Sequence, residues 1–282
     1  MSDEKVSIHG IWASRWVFIL AATGSAVGLG NIWKFPYMAG TYGGGAFVLV
    51  YLCCIALIGL PVMLAETLLG RRGRQSPVNT LRSLARQSGA SERWSWAAMM
   101  GMLAALLILS FYSVVAGWAL DYIIAMARGE FTGIDGAGAG AKFDALTADP
   151  LRLTIWHTLF MLLTAFIIAK GVVAGLERGL RILMPLLFVL LVLLLGYSLT
   201  TGHFMEGVHF LFHFDLAKVP EGILAAMGHA FFTLSVGVGS IMVFGAYMPR
   251  KASLGSTIIT VGILDTVVAL TAGMALFPIV FA

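Results

Sequence analysis

The chain has little charge. Only 11% of its 282 residues are Asp, Glu, Lys or Arg, while 59% are hydrophobic. A soluble domain carries roughly 25% charged residues. With a mean hydropathy of +0.92, the composition excludes a water-soluble globule and points to a polytopic membrane protein. Cysteine is also scarce. The two present, Cys53 and Cys54, are adjacent. On a helix they point in different directions, so they read as buried small apolar residues and not as a disulfide.

Seven apolar stretches are each long enough for the ~20 residues a membrane helix needs. They cover approximately 12–40, 45–70, 96–126, 152–170, 178–201, 220–248 and 256–281. The first is too long for a secretory signal and lacks an Ala-x-Ala cleavage site. With the N-terminus inside, the inner segments hold Lys5, Arg15, Arg71, Arg72, Arg74, Arg82, Arg86, Arg93, Lys170, Arg178, Arg181, Arg250 and Lys251. The outer ones hold only Arg128, Lys142, Arg152 and Lys218. The positive-inside rule selects this orientation, in a cell (inner) membrane. The formal charge of +4 therefore belongs to loops facing the lipid bilayer's inner side, not to a nucleic-acid surface. The Gly-, Ala- and Asp-rich 129–150 stretch and the 202–219 stretch read as outer loops.

Two of the stretches carry matching irregularities. Ser25-Ala26-Val27-Gly28-Leu29-Gly30-Asn31-Ile32 pairs with Ser235-Val236-Gly237-Val238-Gly239-Ser240-Ile241, with one residue deleted. Each glycine costs a helix about 1 kcal/mol relative to Ala. Unwound backbone survives in a membrane only where protein buries it or a cavity receives it. Gly24–Asn31 and Leu234–Gly239 are thus expected to be non-helical and to face each other. One lies on an outward-running span and the other on an inward-running one, as an inverted repeat demands. Residues 1–201 would form a first five-helix repeat, and 220–282 the start of the second, in one membrane domain. Roughly three spans of the second repeat would then lie outside this chain.

Intramembrane polar groups are expensive and mark function. Here they are Asn31, Lys34, Glu66, Tyr112, His157, His229, Thr233, Ser235 and Asp265. Glu66 reads either as a protonated, hydrogen-bonded core group or as a working one. Tyr112 reads as aromatic packing or as a ligand, and His157 as a structural hydrogen-bonder. His209 and His213 have a spacing that suits zinc but lack further ligands. A broken helix offers carbonyls at the end of one half and amides at the start of the next. Carbonyls with Asn, Thr and Asp oxygens suit a hard cation, while amides at a helix start suit a carboxylate. Together they suit a zwitterionic amino acid carried with sodium.

The chain resembles the neurotransmitter:sodium symporter family, bacterial branch. The resemblance rests on Trp12-Ala13-Ser14-Arg15, on Gly24 through Tyr37, on Gly43-Gly44-Gly45-Ala46-Phe47 and on Gly59-Leu60-Pro61. Glu66, Gly70-Arg71 and Phe231 through Gly237 complete it. It extends over the whole chain, which corresponds to about the first seven of the family's usual twelve helices. The resemblance implies an all-α inverted-repeat transporter with discontinuous first and sixth helices, truncated after the seventh. It implies sodium-coupled, alternating-access symport of a small neutral or hydrophobic amino acid, and no enzymatic step.

By position, the resemblance places a first sodium ion against the Ala26 carbonyl, Asn31, Thr233 and Asp265. A second would meet the Gly24 and Val27 carbonyls. The substrate carboxylate would meet the Leu29 and Gly30 amides and Tyr112. Its ammonium would meet the Ala26 and Phe232 carbonyls and Ser235. Phe232 would close over the ligand, and Val238 would line its side-chain pocket. Trp12, Lys34 and Glu66 are expected in gating or support. The sequence departs from the family where Lys34 replaces a gate arginine, where His9 replaces another, and where Asp265 replaces an asparagine. Ala269 stands where some chloride-independent members carry glutamate. Asp265 is therefore expected to balance sodium without chloride.

A chain of this length is expected not to transport alone, and a separately encoded second half is compatible with the sequence. The alternative is a non-transporting N-terminal fragment of such a symporter. A seven-helix receptor or pump conflicts with an inside N-terminus and with a seventh stretch lacking the lysine a retinal Schiff base needs. A membrane enzyme lacks a nucleophile–base–orienter set.

Overall fold

The computed structural model describes residues 14–249 and 252–282. Trp12 and His9 lie outside the described residues. Thirteen α-helices follow one another: α1 Arg15–Ala26, α2 Phe35–Thr41, α3 Gly45–Cys54, α4 Leu60–Gly73, α5 Pro77–Gln87, α6 Ser95–Ala127, α7 Gly136–Thr147, α8 Pro150–Ala169, α9 Arg178–Ser198, α10 Phe204–Phe212, α11 Val219–Thr233, α12 Ser240–Ala246 and α13 Leu254–Phe281. The described residues divide into two compact units. One holds residues up to Gly101 and from Glu177 onward; the other holds Met102–Leu176.

The seven expected stretches do not all become single helices. Among the described residues, five helical runs are long and apolar enough to cross a membrane, and a sixth if α1 and the Gly30–Thr41 run, bent by 50°, count as one span. The expected stretch 220–248 forms α11 and α12, with residues 234–239 between them out of the helix, as expected. Ser235, Gly237 and Gly239 have φ of +54°, +86° and +83°. A helix cannot continue through three left-handed residues, and two of the three are glycines, which pay no Cβ penalty there.

The first break is narrower than expected. Gly24, Ser25 and Ala26 remain helical, and the Val27 amide still bonds the Thr23 carbonyl at 2.6 Å. Gly24 is there for packing: a Cβ on it would stand 2.5 Å from Leu180 Cδ2. The departure from helix is confined to Val27–Gly28, followed by a π turn over Gly30–Lys34. A second π turn, Ile55–Gly59, joins α3 to α4. Pro36 and Pro61 each stand two residues beyond these turns. Proline has no N–H, and its ring crowds the carbonyl four residues back. Widening the preceding turn relieves that crowding.

The stretches read as loops contain helices of their own, α7 in 129–150 and α10 in 202–219. A Cβ on Gly207 of α10 would stand 2.5 Å from Pro278 Cδ of α13. The Gly45 amide bonds the His213 carbonyl at 2.8 Å. A Cβ on Gly44 would meet the Phe210 carbonyl oxygen at 2.6 Å, which explains the glycine run before α3. α4 and α12 meet backbone to backbone. A Cβ on Gly70 would stand 2.0 Å from the Met242 carbonyl oxygen, and one on Gly245 would stand 2.6 Å from that of Thr67.

The second unit contains α7, α8 and the part of α6 beyond Gly101. Arg152 donates to both oxygens of Asp121, at 2.8 and 2.9 Å. Trp118 meets Phe143 edge-on, with ring centres 5.1 Å apart. His157 Nδ1, expected to hydrogen-bond, has no partner among the described residues.

Candidate binding site at the two helix breaks

Asp265, halfway along α13, is fully buried. A charge in apolar surroundings must be compensated, and here three donors converge on the carboxylate. Asn31 Nδ2 donates to Oδ1 at 2.8 Å, Thr233 Oγ1 donates to Oδ1 at 2.8 Å, and the Tyr51 hydroxyl donates to Oδ2 at 3.1 Å. Asn31 Nδ2 also reaches Thr233 Oγ1 at 3.1 Å and the Asp265 carbonyl at 3.2 Å. Asn31 Oδ1 in turn accepts the Gly28 amide at 3.1 Å. Asn31 follows the first break and Thr233 precedes the second, so Asp265 ties both to α13. Oxygens of Thr233, of the Asp265 carboxylate and of the Asp265 carbonyl gather in one buried cluster around one negative charge. Such an oxygen set suits a hard cation and not a soft one.

The second break also bonds the last turn of α1. Ser235 Oγ donates to the Ser25 carbonyl at 2.7 Å. The Phe232 ring lies against the first break, since a Cβ on Gly30 would stand 3.1 Å from its Cε1. Lys34 Nζ sits 4.8 Å from the centre of that ring, a cation–π contact. Ala26 ends α1, and Leu29 precedes the π turn. Val238 is half-buried inside the second break. Glu66 on α4 reaches the same break: its Oε1 accepts the Gly237 amide at 2.6 Å, giving a partner to backbone that no helix satisfies. Tyr112 belongs to the second unit, where its ring stands 6.4 Å from that of Phe111.

Tyr51 and Ser240 were missed by sequence reading. Ser240 Oγ donates to the Ser235 carbonyl at 2.8 Å and braces the turn. Tyr51 sits in the otherwise apolar α3, where its phenolic hydroxyl is the one signal of a polar task. Removing it (Tyr51→Phe) keeps the ring packing and strips a donor from Asp265. We expect a cost of about 1.5–3 kcal/mol, read as a lower melting midpoint in detergent. An unchanged midpoint refutes the role given to this hydroxyl.

Known proteins share this arrangement of sequence and fold. A family model described as "Sodium:neurotransmitter symporter family" matches residues 9–132 and 143–281. The uncharacterized sodium-dependent transporter YhdH of Bacillus subtilis is 41% identical over 96% of this chain and 59% of its own length. An uncharacterized sodium-dependent transporter of Haemophilus influenzae is 33% identical, over 96% of this chain and 61% of its own length. The crystal structure of MhsT in complex with L-phenylalanine superposes with a TM-score of 0.88 at 46% identity, over 96% of this chain and 61% of that one. The chain thus spans about three-fifths of the length of these relatives. The matched residues run through both breaks and through Asp265, and they take in nearly the whole sequence: this chain belongs to the sodium:neurotransmitter symporter family.

Proposed function

We propose that the chain carries the sodium and amino-acid site of a symporter for neutral, apolar or aromatic amino acids that works by alternating access. The observation that carries this reading is the cross-linking of three segments, the two breaks and α13, through Asn31, Thr233 and Asp265. Sodium would be held by oxygens of that cluster, in place of hydrogen bonds now made within it, together with the Ala26 carbonyl. A second ion would lie at the Gly24 and Val27 carbonyls. The substrate carboxylate would take the Leu29 and Gly30 amides. Its ammonium would take the Ala26 and Phe232 carbonyls and Ser235. Val238 and Phe232 present apolar surface to the substrate side chain, and a charged one would pay desolvation without a partner. The L-phenylalanine in complex with MhsT supports this class. Lys34 and Glu66 act as gate and support, and the N-terminus lies in the cytoplasm of a cell membrane. Residues 1–201 constitute the first repeat and 220–282 the start of its inverted counterpart. Asp265 supplies the negative charge, so chloride is not needed.

The test is equilibrium binding of labelled leucine or phenylalanine to the purified chain, in sodium and in potassium. Binding is expected in sodium alone, with displacement by tryptophan and none by glutamate or lysine. Equal binding in both salts, or displacement led by glutamate, overturns the reading. In liposomes with a sodium gradient, the same chain by itself is expected not to accumulate labelled leucine. Sodium-dependent uptake by this chain alone refutes that part.

A further inference from the structure

The end of α4 where the chain turns into α5 holds a feature the transport site does not use. A groove of about 390 Å³ is lined by Leu69, Arg72, Leu81, Leu84, Ala85 and Trp94, among others. Leu81 and Leu84 share one face of α5, three residues apart, while Arg82 and Arg86 lie exposed on the other. Trp94 and Trp96 follow directly, 64% and 62% exposed. Large exposed aromatics next to arginines and an amphipathic helix are the composition of a membrane–water boundary.

The arginines here divide into two sets. Arg71 and Arg74 are spent on the protein, donating to the Ala252 and Ala246 carbonyls at 2.9 and 3.1 Å. Arg72, Arg82 and Arg93 are exposed, and no carboxylate among the described residues lies within salt-bridge distance of them. Arg86 pairs with Glu92 at 2.9 Å, but both side chains are largely exposed, 70% and 46%, and such a pair is weak. Arg72 thus lines the apolar groove, and one glutamate offsets the three other exposed arginines of the same segment, Arg82, Arg86 and Arg93. Basic pockets beside membrane helices of this kind recognise anionic headgroups.

We propose that this groove binds a diacyl phospholipid with an anionic headgroup, drawn from the leaflet that this end of the bundle meets. The phosphate sits on Arg72, with Arg93, next in sequence to the lining Trp94, adding charge at the rim. The first methylenes of one chain lie between Leu69, Leu84 and Trp94. A soluble anion would leave the apolar walls uncovered, and a zwitterionic lipid would leave the arginine charge unmatched.

Fluorescence quenching of the purified, delipidated chain tests this. Phosphatidylglycerol with brominated acyl chains is expected to quench tryptophan emission at a lower mole fraction than brominated phosphatidylcholine with the same chains. Trp94→Phe should remove part of the quenchable signal. Arg72→Gln should weaken the preference for phosphatidylglycerol about fivefold and leave phosphatidylcholine unchanged. If Arg72→Gln yields no folded protein, Arg93→Gln and Trp94→Phe carry the same comparison. Equal quenching by both lipids, or a preference that survives loss of either arginine, overturns the proposal. So does displacement of phosphatidylglycerol by millimolar inorganic phosphate, which would mark a headgroup-only anion site.

Discussion

Replacing Asp265 by asparagine is expected to remove the chain's response to sodium. The wild-type carboxylate accepts from Asn31, Thr233 and Tyr51, and it is the charge that the proposed cation would meet. Asparagine keeps the shape and loses the charge. Removing one partner of a buried charge pair costs about 2–5 kcal/mol, so apparent sodium affinity should fall by at least roughly thirtyfold. The readout is a sodium titration of the melting midpoint, run in chloride and in gluconate. The wild type should respond alike in both anions, and Asp265→Asn should respond in neither. A variant with unchanged sodium affinity, or a wild type that responds only in chloride, rejects the role assigned to this residue.

Gly70→Ala is expected to be the most damaging single-methyl change in the first unit. The new Cβ would lie 2.0 Å from the Met242 carbonyl oxygen, 2.9 Å from the Met242 carbonyl carbon and 3.1 Å from the Ala246 nitrogen. All three are backbone atoms that no rotamer change can move. α12 or α4 must shift by an ångström or more, and overpacking of this sort costs about 3 kcal/mol or above. Gly245→Ala meets Thr67 in the same way, at 2.6 Å. Gly196→Ala in α9 is the control. Nothing lies within 4 Å of its added Cβ, so it should be neutral or stabilise by up to about 1 kcal/mol. Melting followed by size-exclusion chromatography separates these outcomes. A Gly70→Ala protein as stable as Gly196→Ala means the α4–α12 seam is looser than described.

Much of this was legible in the chain before any coordinates. Apolar stretches and the two glycine-broken motifs locate the spans and the discontinuities, because membrane burial leaves few other uses for Asn31, Thr233 and Asp265. Other parts were hidden for identifiable reasons. Gly24 looks like part of a break, but its neighbours Leu180 and Met184 are distant in sequence. Only packing reveals that it spares room for them. Tyr51 lies 214 positions from Asp265, and no local pattern records that reach. The 71–93 segment declares its charge, so α5 read as an orientation signal. Its Leu81 and Leu84 carry an amphipathic message that the arginines drowned out. α7 and α10 are short and flanked by turn residues, and a short helix docked on a larger one leaves almost no periodicity to detect.

The glycine seam has a mechanical consequence. Where two helices touch through side chains, they can slide by swapping rotamers. α4 and α12 touch through main chain at Gly70 and Gly245, and main chain has no rotamers to swap. Arg74 adds a tether from the end of α4 to the Ala246 carbonyl at the end of α12. The half-helix after the second break therefore cannot tilt independently: whatever force turns α12 also turns α4. Residues 234–239 belong to the same block, because Glu66 of α4 holds the Gly237 amide and Ser240 of α12 holds the Ser235 carbonyl.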